Sequence, residues 1–188
     1  MNSVNQVEPY VLSEAEDEAI RYINNRATIK ATAQQTGGAF GLVGMLVAPN
    51  HPIPLHIHHA EDEALWGLEG NLTVQAGDTT YSAGPGSFIF GPKGVRHTFR
   101  AESTTGARLL VLMVPGGGEG FFIETGRPAE GEGLPTPTSP DSALMQAKVY
   151  AGQDGKISPG SRGPTSTTDL KRPKMHRCTP HESQVTLR

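Results

Sequence analysis

The chain has 188 residues, enough for one domain with a sizeable core and too few for two comfortable ones. Hydrophobic residues make up 36% and aromatics 6%, while 23 Gly and 15 Pro together exceed a fifth of the chain, a balance that argues against a helical bundle and for a turn-rich all-β domain. The net charge of −3 is uneven: seven Lys/Arg against three Asp/Glu from Ala151 onward leave −7 on residues 1–150, and an acidic body argues against a nucleic-acid-binding core.

Met1 to Glu8 is polar and has neither the basic start nor the apolar run of a secretory signal, and no stretch approaches the ~18 apolar residues of a membrane span. The expectation is a soluble, cytoplasmic protein with no membrane partner. Residues 1–18, with the acidic run Ser13 to Glu18, read as a solvated arm or a short helical turn. From Ala19 to Val114 the chain breaks into short segments rich in Ile, Val, Thr and Phe, punctuated by Gly, Pro, Asn or Asp about every ten residues. The strands expected are Ala27–Ala33, Phe40–Val47, Leu55–His59, Ala64–Glu69, Leu72–Ala76, Thr79–Ser82, Ser87–Phe90, His97–Arg100 and Arg108–Met113. Asn71-Leu72-Thr73 reads as a hairpin turn rather than a glycosylation site. Nine short strands close naturally into a jelly roll, which also manages exposed edges.

Past the barrel, Gly116 to Glu124 and Ala143 to Tyr150 have the composition of short C-terminal helices, which makes 19–150 the folded domain. Residues 151–188 combine Gly, Pro, Ser and Thr with scattered positive charge and read as a disordered basic tail. The lone Cys178 cannot form an internal disulfide. With His176 and His181 it resembles a metal half-site, but a tail without a fourth ligand favours the bland reading.

The chemistry-bearing stretch is Leu55 to Gly70, L-H-I-H-H-A-E-D-E-A-L-W-G-L-E-G. His56 and His58 are two apart, so on an extended segment both imidazoles leave the same face and converge. Glu63 follows after a gap long enough for the chain to turn and return a carboxylate. His97, after the turn signal Gly91-Pro92-Lys93-Gly94, supplies a fourth donor from a distance. Three imidazoles and a carboxylate suit one divalent transition ion, Fe, Mn, Ni, Co, Cu or Zn, with octahedral positions left for exogenous ligands. His59 should face the other way and reads as surface. Trp66 reads as core or dimer interface, and Phe88, Phe90 and Phe99 as core packing.

These residues resemble the cupin superfamily, whose two motifs are H-x-H-x(3,4)-E-x(6)-G and G-x(5)-P-x-G-x(2)-H-x(3)-N. His56, His58, Glu63 and Gly70 match the first; Gly86, Pro92, Gly94 and His97 match the second. The leading Gly expected five residues before the histidines is Asn50, and the closing Asn is Ala101. Only Glu63 keeps the motif spacing to Gly70, which sets it ahead of Glu61 and Asp62. Within the superfamily, Ala27 to Gly133 is most similar to small quercetin 2,3-dioxygenase-like cupins. That resemblance implies a double-stranded β-helix barrel, a metal held by His56, His58, Glu63 and His97, and cleavage of a flavonol or related phenolic or enolic small molecule with O2. It makes Glu63 the catalytic base as well as a ligand. The same scaffold also serves decarboxylases, isomerases, lyases and non-enzymatic binding proteins, and pairing into a homodimer is open to it.

Overall fold

The computed structural model of the chain describes residues 7–13 and 18–135. The end of the folded domain at 150, the helix expected over residues 143–150, the basic tail and the His176, Cys178 and His181 cluster lie outside the described residues. Among the described residues, no helix is long and apolar enough to cross a membrane.

Among the described residues, ten strands and one helix follow in chain order. They are β1 (Glu18–Tyr22), β2 (Asn25–Ala31), β3 (Gly41–Val47), β4 (Asp62–Glu69), β5 (Leu72–Ala76), β6 (Thr79–Ala83), β7 (Phe88–Gly91), β8 (His97–Ala101), β9 (Ala107–Val114), α1 (Glu119–Thr125) and β10 (Arg127–Pro128). One sheet has the order β10-β1-β2-β3-β9-β4-β7, the other β6-β5-β8, and every pairing between named strands is antiparallel. This is the expected all-β jelly roll.

Alternation decides which face each strand buries. On β3, Val43, Met45 and Val47 point inward, and on the neighbouring β9, Leu109, Val111 and Met113 do the same. Leu72 and Val74 of β5 with Phe99 and Ala101 of β8 face them from the other sheet. Each fully buried aliphatic or aromatic side chain contributes roughly 1.5–3 kcal/mol, so this inner layer carries the fold.

Four expectations change. Leu55–His59 does not form a strand: Pro49, Pro52 and Pro54 strip N–H donors from residues 49–54, so the segment runs beside β8 through scattered bonds only. Asn50 N–H donates to Ala101 O, Ile53 N–H to Phe99 O, and His56 pairs with His97 in an isolated bridge. Leu72 and Thr73 already belong to β5, so the turn before it is Gly70-Asn71. Phe99 is core, but Phe88 and Phe90 are 61% and 54% exposed because β7 turns both outward, and Trp66 on β4 is 49% exposed, which removes its core reading. Finally, β1 and β10 extend the larger sheet beyond the expected set, and β1 takes in Glu18, which had been assigned to the arm.

The expected helix after the barrel is α1, docked by one carboxylate. Glu119 is 4% exposed and accepts N–H bonds from Ala33 (2.6 Å) and Gly117 (2.8 Å). It passes so close to Gly41 that a Cβ there would stand 2.1 Å from Glu119 Oε2. Phe121 and Phe122 meet Tyr22 edge-on at 5.1 and 5.4 Å.

Candidate metal centre

His56 and His58 sit on the irregular segment before β4, Glu63 on β4, and His97 at the start of β8. Backbone bonds stitch these pieces together. His56 and His97 exchange both N–H···O bonds at 3.0 and 2.9 Å, and Gly94 N–H donates to His58 O at 2.8 Å. Asp62 completes the clamp by accepting from Lys93 N–H at 2.8 Å. Motif spacing gave Asp62 no role. Its signal is positional, because the residue before Glu63 leaves the opposite face of β4 and meets the Pro92-Lys93-Gly94 turn.

The left-handed backbone explains two motif positions and one departure. Gly70 (φ 74°) turns β4 into β5 so tightly that a Cβ would lie 2.4 Å from Gly106 O, and Gly94 (φ 79°) turns the chain toward β8. Asn50 replaces the expected glycine yet keeps φ at 55°, a region Asn enters more readily than most residues. The departure conserves the turn.

The four side chains predicted from sequence come together, each offering one donor atom, and these atoms all lie within 4.8 Å of one another. His58, Glu63 and His97 are buried and His56 is partly exposed, so the cluster is reached from its side. Each imidazole is gripped from behind. Nδ1 of His56 lies 2.8 Å from Pro54 O, Nδ1 of His97 lies 3.0 Å from Val95 O, and Nδ1 of His58 faces Glu61 Oε2 at 3.7 Å. Protons on those Nδ1 atoms leave Nε2 as the inward atom, the arrangement that orients histidine ligands. His59 is exposed, as expected.

Electrostatics prepare the same set. Burial drives the His56 imidazole down to about 4, helped by the neighbouring His97 and His58, so it is neutral at pH 7. For Glu63, burial pushes upward, but bonds from His58 and His97 and the nearby His56 prevail and hold the carboxyl well below its ordinary range. For His97, burial pushes downward, but the bond to Glu63, its negative charge and the Val95 carbonyl win and raise it. Glu63 Oε2 and His97 Nε2 are 2.8 Å apart, and His58 Nε2 lies 3.5 Å from Glu63 Oε1. A carboxylate only accepts, so one proton sits between Glu63 and His97 in the metal-free protein. Three borderline nitrogen donors and one hard oxygen, held by backbone on separate segments, fit a divalent first-row ion. A buried carboxylate among three imidazoles, two of them buried, has no role in packing.

Comparisons with known proteins agree with the fold. Residues 44–113 match the family model described as a cupin domain. A quercetin 2,3-dioxygenase of Bacillus subtilis is 29% identical over 127 residues, 68% of this chain and 37% of that protein, so the chain spans little more than a third of the relative's length. Among solved structures, KdgF from Halomonas sp. superposes with a TM-score of 0.54 at 14% identity, covering 60% of this chain and 98% of that one. Oxalate decarboxylase of Bacillus subtilis, described for its Mn(II) centres, gives 0.49 at 20% identity over 58% of this chain and 31% of that one.

Proposed function

We propose, from the cupin-domain match over residues 44–113, that the chain is a metal-dependent cupin enzyme whose ion is held by His56, His58, Glu63 and His97. We further propose that it is a dioxygenase acting on a flavonol or a related phenolic or enolic small molecule. The convergence of four donors within 4.8 Å carries the first part. The similarity to the Bacillus subtilis enzyme over two thirds of this chain supports the second.

A divalent ion bound here supplies a Lewis acid that acidifies a hydroxyl presented at an open coordination position. The chain's own contribution is proton management. Glu63 is ionised at neutral pH and stands beside the site as acceptor for that hydroxyl proton. Because the carboxylate is held below its ordinary range it is a weak base, so the role requires Glu63 to loosen from its partners as the proton arrives. The backbone carbonyls behind Nδ1 of His56 and His97, and the Glu61 carboxylate facing Nδ1 of His58, keep the imidazoles aimed while Glu63 shifts.

The test is oxygen uptake and product formation by protein loaded separately with Fe, Mn, Co, Ni, Cu or Zn, across a flavonol and phenol panel, in air and under anaerobic conditions. Oxygen-dependent turnover with at least one metal is expected. Turnover that persists without oxygen would move the protein to the decarboxylase, isomerase or lyase reading. Binding without turnover under any condition would make it a small-molecule-binding cupin.

A further inference from the structure

Strands β10, β1 and β2 place three arginines in one row. Register sets Arg127 opposite Arg21 and Arg21 opposite Arg26, so neighbouring side chains leave the backbone about 5 Å apart on the same face. That face is the outer one, because Arg21 and Arg26 alternate with the buried Ile20, Tyr22 and Ala27. Like charges directly opposite one another cost stability, and β3 offers no relief, since Leu46 follows Arg26 in the row. Arg108, beyond Leu46 on β9, already stands 3.7 Å from Glu69. Arg21 and Arg26 line a cavity of about 90 Å³ whose other walls are Ala129, Glu130 and residues 133–135. We propose that this cavity is an anion site for a phosphoryl group, held by Arg26 and Arg21 with Arg127 beside them in the row.

The Arg26 guanidinium is held in place but only partly used. Its Nη1 donates to Glu132 O at 2.6 Å, which ties the side chain to the segment that walls the cavity. Its Nε is cut off from solvent and has no hydrogen-bond partner among the described residues. A buried donor left unpaired costs free energy, so an acceptor is expected beside it. With Nη1 engaged, the fork that remains is the Nε–Nη2 edge, which grips a carboxylate or phosphate through two parallel bonds. Size and charge choose between ligands. A cavity of about 90 Å³ is far below the ~300–1,000 Å³ of sites for drug-sized molecules, so it admits one tetrahedral group and excludes a flavonol. Three guanidiniums against the Glu130 carboxylate leave two positive charges, which a phosphoryl dianion matches and a carboxylate half matches. The metal ligands lie elsewhere, on β4, on β8 and on the segment before β4, so binding here is independent of the metal centre.

Inorganic phosphate is the probe, titrated calorimetrically into the full chain, metal-free and metal-loaded, in chloride buffer at low ionic strength. A dissociation constant below about 5 mM is expected, equal in the two forms and weakening as salt is raised. Arg26→Gln should weaken binding about 10-fold or more with the far-ultraviolet circular dichroism unchanged. Arg100→Gln, which removes an equal charge from β8, should leave the affinity intact. Phenyl phosphate separates two sources of the same chemistry. Binding at least as tight as that of inorganic phosphate assigns the cavity to the phosphoryl end of a larger ligand, binding of inorganic phosphate alone assigns it to the free ion, and both uphold the site. Phosphate binding that is weaker than the stated limit, requires the metal, survives Arg26→Gln, or falls equally in Arg100→Gln overturns the proposal. Acetate bound as tightly as phosphate overturns it too. Should Arg26→Gln fail to fold, Arg127→Gln, at an exposed position, decides: a loss of about 3-fold upholds the site, and unchanged affinity overturns it.

Discussion

Lowering the pH of the metal-free protein should destabilise it through His56 before Glu63 matters. The native imidazole is held at about 4, against 6.5 for the ordinary group, because burial penalises its charged form. Between those values the unfolded chain takes up a proton that the native state refuses, so stability falls as pH falls. Each pH unit in the gap contributes about 1.4 kcal/mol, so going from pH 7 to pH 4.5 removes about 2.5 kcal/mol, a sizeable part of the ~5–15 kcal/mol that holds a domain together. The two partners act outside this window. His97 is raised, so its stabilisation is fully present below the unfolded value and is lost only as pH rises through the folded one. Glu63 is depressed, so its contribution is present above the unfolded carboxylate value and is lost only at lower pH. Urea titration of metal-free protein at pH 7 and pH 4.5 should therefore show the midpoint falling by about 1–2 M for a urea dependence near 2 kcal/mol per M. His56→Gln should flatten most of that fall. An equal fall in the variant and the native chain would refute the reasoning.

Metal affinity, measured by isothermal titration in two buffers of different protonation enthalpy, should rise with pH, with proton release, because the ion displaces the proton between Glu63 and His97. Asp62→Ala should weaken metal binding roughly 10-fold or more by freeing the Lys93 turn that aims His97, while the melting temperature of the metal-free protein falls by only a few degrees. Asn50→Gly should be neutral or slightly stabilising, whereas Asn50→Val should cost about 1–2 kcal/mol in chemical denaturation, since a β-branched residue resists φ near 55°. Leu109→Ala, at a core position 1% exposed, should cost about 2–5 kcal/mol by the same assay.

The metal cluster was legible in the sequence because its requirements are local: two histidines two apart, a carboxylate at fixed distance from a turn glycine, and a histidine after Pro92 and Gly94. Those constraints survive whatever the intervening chain does, which is why misreading 55–59 as a strand left the ligands in place. Strand boundaries were readable where an apolar run is bounded by turn residues, as in β3 and β9. They failed at Leu55–His59, where two histidines two apart suggested a strand, while Pro49, Pro52 and Pro54 just before it lack the backbone donors that a strand would use. Two-residue β10 carries no periodicity to read. Phe88, Phe90 and Trp66 misled for a different reason: alternation gives two faces, and composition alone does not say which one meets the core. Asp62 and Glu61 act on the turn and on His58 through contacts that only the folded backbone creates.

Metal stoichiometry of the full chain, measured by elemental analysis after loading and gel filtration, tests the four-donor centre most directly. About one divalent ion per chain is predicted, falling to trace levels in His58→Ala with His97→Ala while the circular dichroism of the barrel persists. Retention of the ion by that folded variant, or failure of the native chain to hold any of the six metals, would contradict it.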